Sequence, residues 1–130
     1  MLNHVMIGSN DIEKSTAFYN ADLGVLGAGE PMVHVNDTGQ TRLFYMHGGD
    51  TFSISEPING EPATTANGFT IGFKCDSPEQ LQELHDVAVA NGATSAEDPP
   101  GLREGSMGPM YLCYFLDPDG HKICGLHRPG

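Results

Sequence analysis

The strongest constraint on the fold of this sequence is an internal repeat. His4 begins a short apolar segment that leads to Asp11, and Thr70 begins a similar segment that leads to Ser77, so the offset is 66 residues at both ends. In each copy a helix start follows the segment, and three further strand candidates come after the helix. A chain with this organisation is expected to fold as two copies of one βαβββ module.

Each copy contains a helix whose start can be located. Asn10 or Asp11 can accept hydrogen bonds from the first-turn N–H groups of a helix predicted over about residues 11–22. In the second copy Ser77 opens a capping box, which predicts a helix over about residues 78–91. A glycine lies just beyond the predicted end of each helix, as is common at helix C-termini.

Short strand candidates and a polar linker complete the two copies. The linker covers about residues 57–67, and it divides one domain, residues 1–130, into modules of about 1–60 and 68–128. The predicted later strands cover about residues 31–36, 41–47 and 51–56, then 93–97, 110–116 and 121–127. A four-stranded sheet with one helix leaves one sheet face bare. The sequence therefore predicts an α+β fold in which two tandem βαβββ modules, paired within a chain or across a dimer, form a curved mixed sheet around a trough.

The composition excludes several classes of partner. Six Lys and Arg against 17 Asp and Glu give a net charge of −11, which argues against nucleic acid and anionic membranes as partners. No apolar run reaches the roughly 20 residues of a membrane span, and no signal peptide opens the chain. Three cysteines without paired spacing indicate reduced thiols, so we expect a cytoplasmic protein whose acidic surface attracts cationic ligands.

Several motifs in this framework resemble a known superfamily. They are His-Val at residues 4–5, Ala-Phe-Tyr at 17–19, Leu-Gly at 23–24 and Asp-Pro-Asp-Gly-His-Lys-Ile at 117–123. Together they resemble the vicinal oxygen chelate superfamily, which includes glyoxalase I, bleomycin-resistance proteins, extradiol dioxygenases and fosfomycin-resistance transferases. The stretch Pro-Pro-Gly-Leu-Arg at 99–103 is similar to that of small glyoxalase-like members. The resemblance extends over essentially the whole chain.

The resemblance implies a divalent metal (Zn, Ni, Mn, Co or Fe) held by His and Glu side chains on the first, fourth, fifth and eighth strands, with positions left open for substrate. His4 occupies the first position, but Ser53, Thr70 and Cys124 occupy the others. Glu56 lies three residues from the expected carboxylate, so the remaining metal candidates are His4, Glu56 and Cys124. This departure from the family pattern argues against glyoxalase I itself.

Two functional hypotheses stay open at this level. In the first, the trough binds a small aromatic or cationic molecule without chemistry, as bleomycin-resistance proteins do. In the second, the protein is a metal-dependent lyase, isomerase or dioxygenase with a non-standard site around His4. The first is favoured because the ligand set is eroded, and the superfamily resemblance implies a homodimer in either case. The side chains expected to bind the small molecule are Met6, Phe44, Phe52, Thr70, Arg103 and Tyr114.

Two of the candidate metal-binding and ligand-binding residues have alternative interpretations. Cys124 is either a small buried apolar residue or a reactive thiol. Arg103 lies in a segment, about residues 98–109, that is rich in Gly and Pro and is expected to form a flap over the trough. Arg103 then either pairs with a substrate carboxylate or lies at the surface.

Overall fold

The structure is a computed structural model that describes residues 1–130. It contains two helices and eight strands, and their order confirms the predicted pair of βαβββ modules. The first module consists of β1 (Val5–Gly8), α1 (Ile12–Val25), β2 (Met32–Val35), β3 (Thr41–His47) and β4 (Asp50–Ser55). The second consists of β5 (Ile71–Lys74), α2 (Pro78–Ala90), β6 (Thr94–Gly105), β7 (Gly108–Leu116) and β8 (Lys122–His127).

Each module forms one four-stranded mixed sheet, and the two sheets have the same topology. The N-sheet has the strand order β1-β4-β3-β2, and the C-sheet has the order β5-β8-β7-β6. The first strand of each sheet pairs in parallel with the last, and the other pairs are antiparallel. Met6 faces Ser53 across the N-sheet, and Gly72 faces Cys124 across the C-sheet. The repeat in the sequence is therefore a repeat in three dimensions.

The two helices begin where their caps predict. The Asp11 carboxylate accepts a hydrogen bond from the Lys14 N–H at 3.1 Å, and the Ser77 hydroxyl accepts one from the Gln80 N–H at 3.0 Å. Helix α1 ends three residues later than expected, at Val25. The residue that allows this end is Gly27, whose φ of +92° is a left-handed conformation that favours glycine.

The segment predicted to be a flap is instead part of the C-sheet. Strand β6 continues to Gly105 and returns through a tight hairpin into β7, which starts at Gly108. The strand accommodates its two prolines because it lies at the sheet edge and its register shifts between Ala96 and Gly101. Proline lacks a backbone donor, and edge strands and bulges are the positions in a sheet that tolerate this loss.

One aromatic core connects the two modules. The Tyr19 ring of α1 lies 5.0 Å from that of Phe52 in the N-sheet, and the Phe18 ring lies 6.3 Å from that of Phe115 in the C-sheet. Phe52 also contacts Phe73, with ring centroids 5.3 Å apart. The helices cover the core-facing side of the sheets, and the opposite side of each sheet is called the open face below. Neither α1 nor α2 is long and apolar enough to span a lipid bilayer.

The hairpin that carries the superfamily resemblance joins the modules. The Tyr19 hydroxyl donates to Asp117 Oδ2 at 2.6 Å, and Asp119 Oδ1 accepts the Asn10 N–H at 2.9 Å. His121 Nε2 lies 2.7 Å from the Gly8 carbonyl oxygen. The residues of this motif therefore hold the second module against β1 and α1 of the first.

Candidate functional site

The open face of the N-sheet is rich in methionine. Alternate strand residues point to the same face, so the cross-strand register identifies the residues that share it. Met6, Met32 and Met46 are 37%, 55% and 59% exposed, although methionine is normally a buried side chain. The central row across the four strands consists of Met6, Ser53, Phe44 and Met32.

Ser53 stands at the centre of this row, where the resemblance implies a metal-binding carboxylate. Its side chain is fully buried, and its hydroxyl has no hydrogen-bond partner. A buried hydroxyl without a partner is destabilising, but it supplies no negative charge for a cation. The fourth-strand position is therefore small and neutral.

The open face of the C-sheet carries a polar group that we call the Tyr114 cluster. The Lys122 ammonium lies 4.9 Å from the centre of the Tyr114 ring and forms an ion pair with Glu97. Gly72, Cys124 and Tyr114 are consecutive partners in one cross-strand row. The cluster consists of Glu97, Arg103, Tyr114, Lys122 and Cys124.

The two weak acids at the centre of the cluster are neutral near pH 7. Burial raises the pKa of the Cys124 thiol, although the neighbouring Tyr114 hydroxyl lowers it in part. Burial also raises the pKa of the Tyr114 hydroxyl, and the Cys124 sulfur adds to this rise. A thiol must be deprotonated to act as a nucleophile or a metal ligand. These shifts favour the interpretation of Cys124 as a small buried apolar residue.

Glu97 is a site residue that the sequence did not reveal. It has a φ of +56°, a left-handed conformation that no other non-glycine residue of the chain adopts. Such a conformation costs roughly 1–2 kcal/mol for a residue with a side chain. The position becomes recognisable only once the register shift between Ala96 and Gly101 is known. The bulge turns the Glu97 carboxylate toward Lys122, which contributes to holding it there.

Arg103 holds the same bulge from the other end. Its Nη1 donates to the Gly101 carbonyl at 3.2 Å, and its Nη2 donates to the carbonyls of Asp98 and Pro99 at 3.1 Å and 2.9 Å. Arg103 pairs with Met110 across the hairpin, so it lies on a strand rather than on a flap. Carbonyl oxygens satisfy its donors but leave its positive charge without a counter-ion.

The three predicted metal ligands do not form a metal-binding group within the chain. His4 is exposed just before β1, and its Nδ1 lies 2.8 Å from the side-chain oxygen of Asn3. Glu56 Oε1 accepts the backbone N–H of Thr41 at 2.8 Å and lines a polar cleft of about 380 Å³ at the start of the linker. Cys124 lies in the C-sheet as a neutral thiol. The residues present therefore do not fit a metal centre of this composition.

The predicted ligand-binding residues divide between the two sides of the sheets. Met6, Phe44 and Tyr114 lie on the open face by register, and Thr70 is exposed just before β5. Phe52 differs from the expectation, because the two-residue period of a strand gives the open-face position to its neighbour Ser53. Phe52 is 7% exposed and packs in the aromatic core, where it also lines a cleft of about 330 Å³ on the helix side.

Comparison with known proteins agrees with this fold. The chain matches the family model of the Glyoxalase/Bleomycin resistance protein/Dioxygenase superfamily over residues 1–124. A glyoxalase/bleomycin resistance protein from Albidiferax ferrireducens T118 is 51% identical in sequence and superposes with a TM-score of 0.90, with 98% of this chain and 99% of that chain covered. No protein in a search of curated sequences matches the chain.

More distant structures show the same fold. A glyoxalase-related enzyme from Fulvimarina pelagi is 19% identical and has a TM-score of 0.73, with 99% of this chain and 88% of that chain covered. The fosfomycin resistance protein FosX from Listeria monocytogenes, solved with Mn(II) and sulfate, is 18% identical and has a TM-score of 0.69, with 99% of this chain and 93% of that chain covered.

Proposed function

Because this chain belongs to the glyoxalase/bleomycin resistance protein/dioxygenase superfamily, we propose that it binds a small molecule on the open face of its sheets. The proposal places the molecule against Met6, Phe44 and Tyr114. The proposal also includes Thr70 and Arg103 as residues that contact the molecule. In this proposal the protein is a binding member of the superfamily and not a glyoxalase I.

The observation that carries the proposal is the exposed methionine surface of the N-sheet. Met6, Met32 and Met46 together present a large apolar area beside Phe44. An exposed apolar patch on a soluble domain commonly marks a contact surface. Methionine is flexible and polarizable, so a surface built from it adapts to apolar molecules of different shapes.

The chemistry of the open face favours binding over glyoxalase-type catalysis. That reaction needs a carboxylate base facing the substrate. Ser53 and Cys124 are neutral at two of the expected ligand positions, and the Glu97 carboxylate is already paired with Lys122. The strand positions that carry metal ligands or a carboxylate base in the glyoxalase pattern therefore offer contacts and hydrogen bonds here, but no free carboxylate.

A homodimer is part of the same proposal. The exposed methionines form a bare sheet face that a second copy of the chain would cover, which removes apolar area from water. Pairing two copies in this way turns an open surface into an enclosed site for a small molecule.

The proposal is tested with N-phenyl-1-naphthylamine, a neutral apolar dye that becomes fluorescent in apolar sites. We expect saturable binding that Met6→Ser and Met46→Ser each weaken about 5- to 20-fold, which corresponds to the loss of about 1–2 kcal/mol of apolar contact. Met107→Ser is the matched control, because Met107 is 72% exposed in the β6–β7 hairpin and so lies outside the N-sheet that carries the methionine surface. An equal effect of all three substitutions, or no dye binding, would refute the proposal.

A further inference from the structure

Four of the six basic residues of this acidic chain lie on the open faces of the two sheets, and three of these four are on the C-sheet. The chain has only six Lys and Arg against 17 Asp and Glu. Arg42 shares a cross-strand row with Gly8 and Ser55, and its Nε donates to Ser55 Oγ at 3.2 Å. Three more lie on the same side of the C-sheet by register: Lys74 opposite Leu126, Lys122 opposite Leu116, and Arg103 opposite Met110. Only Lys14 and Arg128 lie elsewhere.

The carboxylates of the strands have a different distribution. Asp50 in β4 is an odd number of residues from the open-face residue Ser53, and Glu104 in β6 is next to the open-face residue Arg103. Because alternate residues of a strand point to opposite faces, Asp50 and Glu104 point to the helix side of their sheets. Asp98 lies exposed in the bulge. Glu97 is the one carboxylate that forms an ion pair with a base of the open face. Among the strand residues, the open face of the C-sheet thus carries three basic side chains and one carboxylate that is paired with a base, in a protein with a net charge of −11.

The Tyr114 cluster concentrates this positive charge at one point. Arg103 and Lys122 contribute two positive charges and Glu97 one negative charge, which leaves one net positive charge. The Arg103 guanidinium is fixed in place by three carbonyl oxygens that do not neutralise it. The Lys122 ammonium is partly exposed, so it can turn from Glu97 toward a bound molecule. The Tyr114 hydroxyl adds a neutral hydrogen-bond donor.

We propose that the Tyr114 cluster binds the carboxylate of a small apolar monoanion, an inference that rests on the proposed function of the open face. The carboxylate accepts hydrogen bonds from Lys122 and Tyr114, and its charge balances the one net positive charge of the cluster. The apolar part of the molecule then lies over Leu112 and Leu126, which occupy the neighbouring cross-strand row. This assignment replaces the expectation from net charge alone, which favours cationic ligands.

Three probes with one skeleton and different head groups test the inference. They are 3-phenylpropionate, 3-phenylpropan-1-ol and 3-phenylpropan-1-amine, titrated into the full chain by isothermal calorimetry at low salt. We expect the carboxylate to bind at least tenfold more tightly than the alcohol, and the amine to bind most weakly. We also expect the advantage of the carboxylate to shrink as salt is added.

Two substitutions with opposite expected effects show whether the cluster is responsible. Lys122→Gln removes the movable ammonium and should weaken binding of 3-phenylpropionate about tenfold. Glu97→Gln removes the competing carboxylate and should strengthen binding several-fold, a gain that general damage to the fold would not produce. Lys14→Gln on α1 makes the same charge change away from the open face and should alter binding by less than twofold.

The outcomes distinguish this inference from the proposed function. Equal binding of the three probes, tightest binding of the amine, or equal effects of Lys122→Gln and Lys14→Gln would overturn the carboxylate site. If Met6→Ser still weakened the neutral dye in those cases, the proposed binding function would stand. If neither the probes nor the dye bound, both proposals would fail.

Discussion

Asp22 provides a quantitative test of the structure, because it is an ionisable group buried without a partner. It is 0% exposed on α1, and neither of its carboxylate oxygens has a hydrogen-bond partner. Burial raises the pKa of Asp22 from 3.8 to about 8. The titratable groups on which its charge acts are Tyr19, Cys75 and Cys113, whose pKa values it raises further.

The direction of the pH effect follows from where the proton is bound. Near neutral pH the folded chain keeps the proton on Asp22, while the unfolded chain releases it. The proton favours the folded state, so this contribution to stability is complete below about pH 4, falls as pH rises, and levels off above about pH 8. At pH 7 the accumulated cost is about 4 kcal/mol, from roughly three pH units at about 1.4 kcal/mol each.

The substitution Asp22→Asn preserves the shape of the side chain and removes its ionisation. We expect the free energy of unfolding of the variant to rise relative to that of the wild type by about 1.4 kcal/mol per pH unit between pH 5 and pH 7, and by less between pH 7 and pH 8 as the folded chain begins to release the proton. Urea unfolding followed by circular dichroism at pH 5, 6, 7 and 8 measures this difference. Burial keeps Tyr19, Cys75 and Cys113 protonated in the folded chain over this pH range, and the titration of the remaining groups is common to both proteins and cancels.

Asp37→Asn is the matched control, since Asp37 is exposed in the turn after β2. Its stability should follow the wild type at all four pH values. If the curves of Asp22→Asn and the wild type run parallel between pH 5 and pH 8, Asp22 is not buried unpaired, and the described packing of α1 is incorrect.

Three further predictions follow from the packing. Gly125→Ala should lower the free energy of unfolding, measured by urea titration, by about 1–3 kcal/mol, because the added Cβ would lie 2.8 Å from Cys113 Sγ. Gly72→Ala is the control and should cost less than about 1 kcal/mol, because open space surrounds Gly72. Tyr19→Phe should cost about 1–3 kcal/mol, because it removes the 2.6 Å hydrogen bond to the buried hairpin carboxylate; an unchanged urea midpoint would contradict that bond. Because burial raises the pKa of the Cys124 thiol, this residue should react with iodoacetamide more slowly at pH 7.5 than free cysteine, and faster as the pH increases. The extent of labelling is measured by peptide mass spectrometry, and rapid labelling at pH 7.5 would contradict a neutral thiol.

The sequence allows prediction of the parts of the fold that depend on local signals. The 66-residue repeat and the caps at Asp11 and Ser77 are read directly from residue types, and the structure confirms the modules and helix starts they predict. These features depend on hydrogen bonds and turn preferences within a few residues. The equivalent positions of Met6 and Gly72 follow from the same repeat.

Other features depend on tertiary structure and could not be predicted. Pro99 and Pro100 indicate a loop locally, but an edge strand with a bulge accommodates them. A one-residue change in strand parity decides whether Phe52 or Ser53 reaches the open face, and sequence patterns do not fix parity when both positions are buried. The pairing of Glu97 with Lys122 requires the register of three strands.

The most direct test of open-face binding is methyl NMR of the chain with its six methionines labelled, during titration with N-phenyl-1-naphthylamine. The proposed function predicts saturable shifts of the Met6, Met32 and Met46 methyl signals, with the Met107 signal unchanged. Unchanged Met6, Met32 and Met46 signals at saturating dye, or shifts confined to Met107, would contradict it.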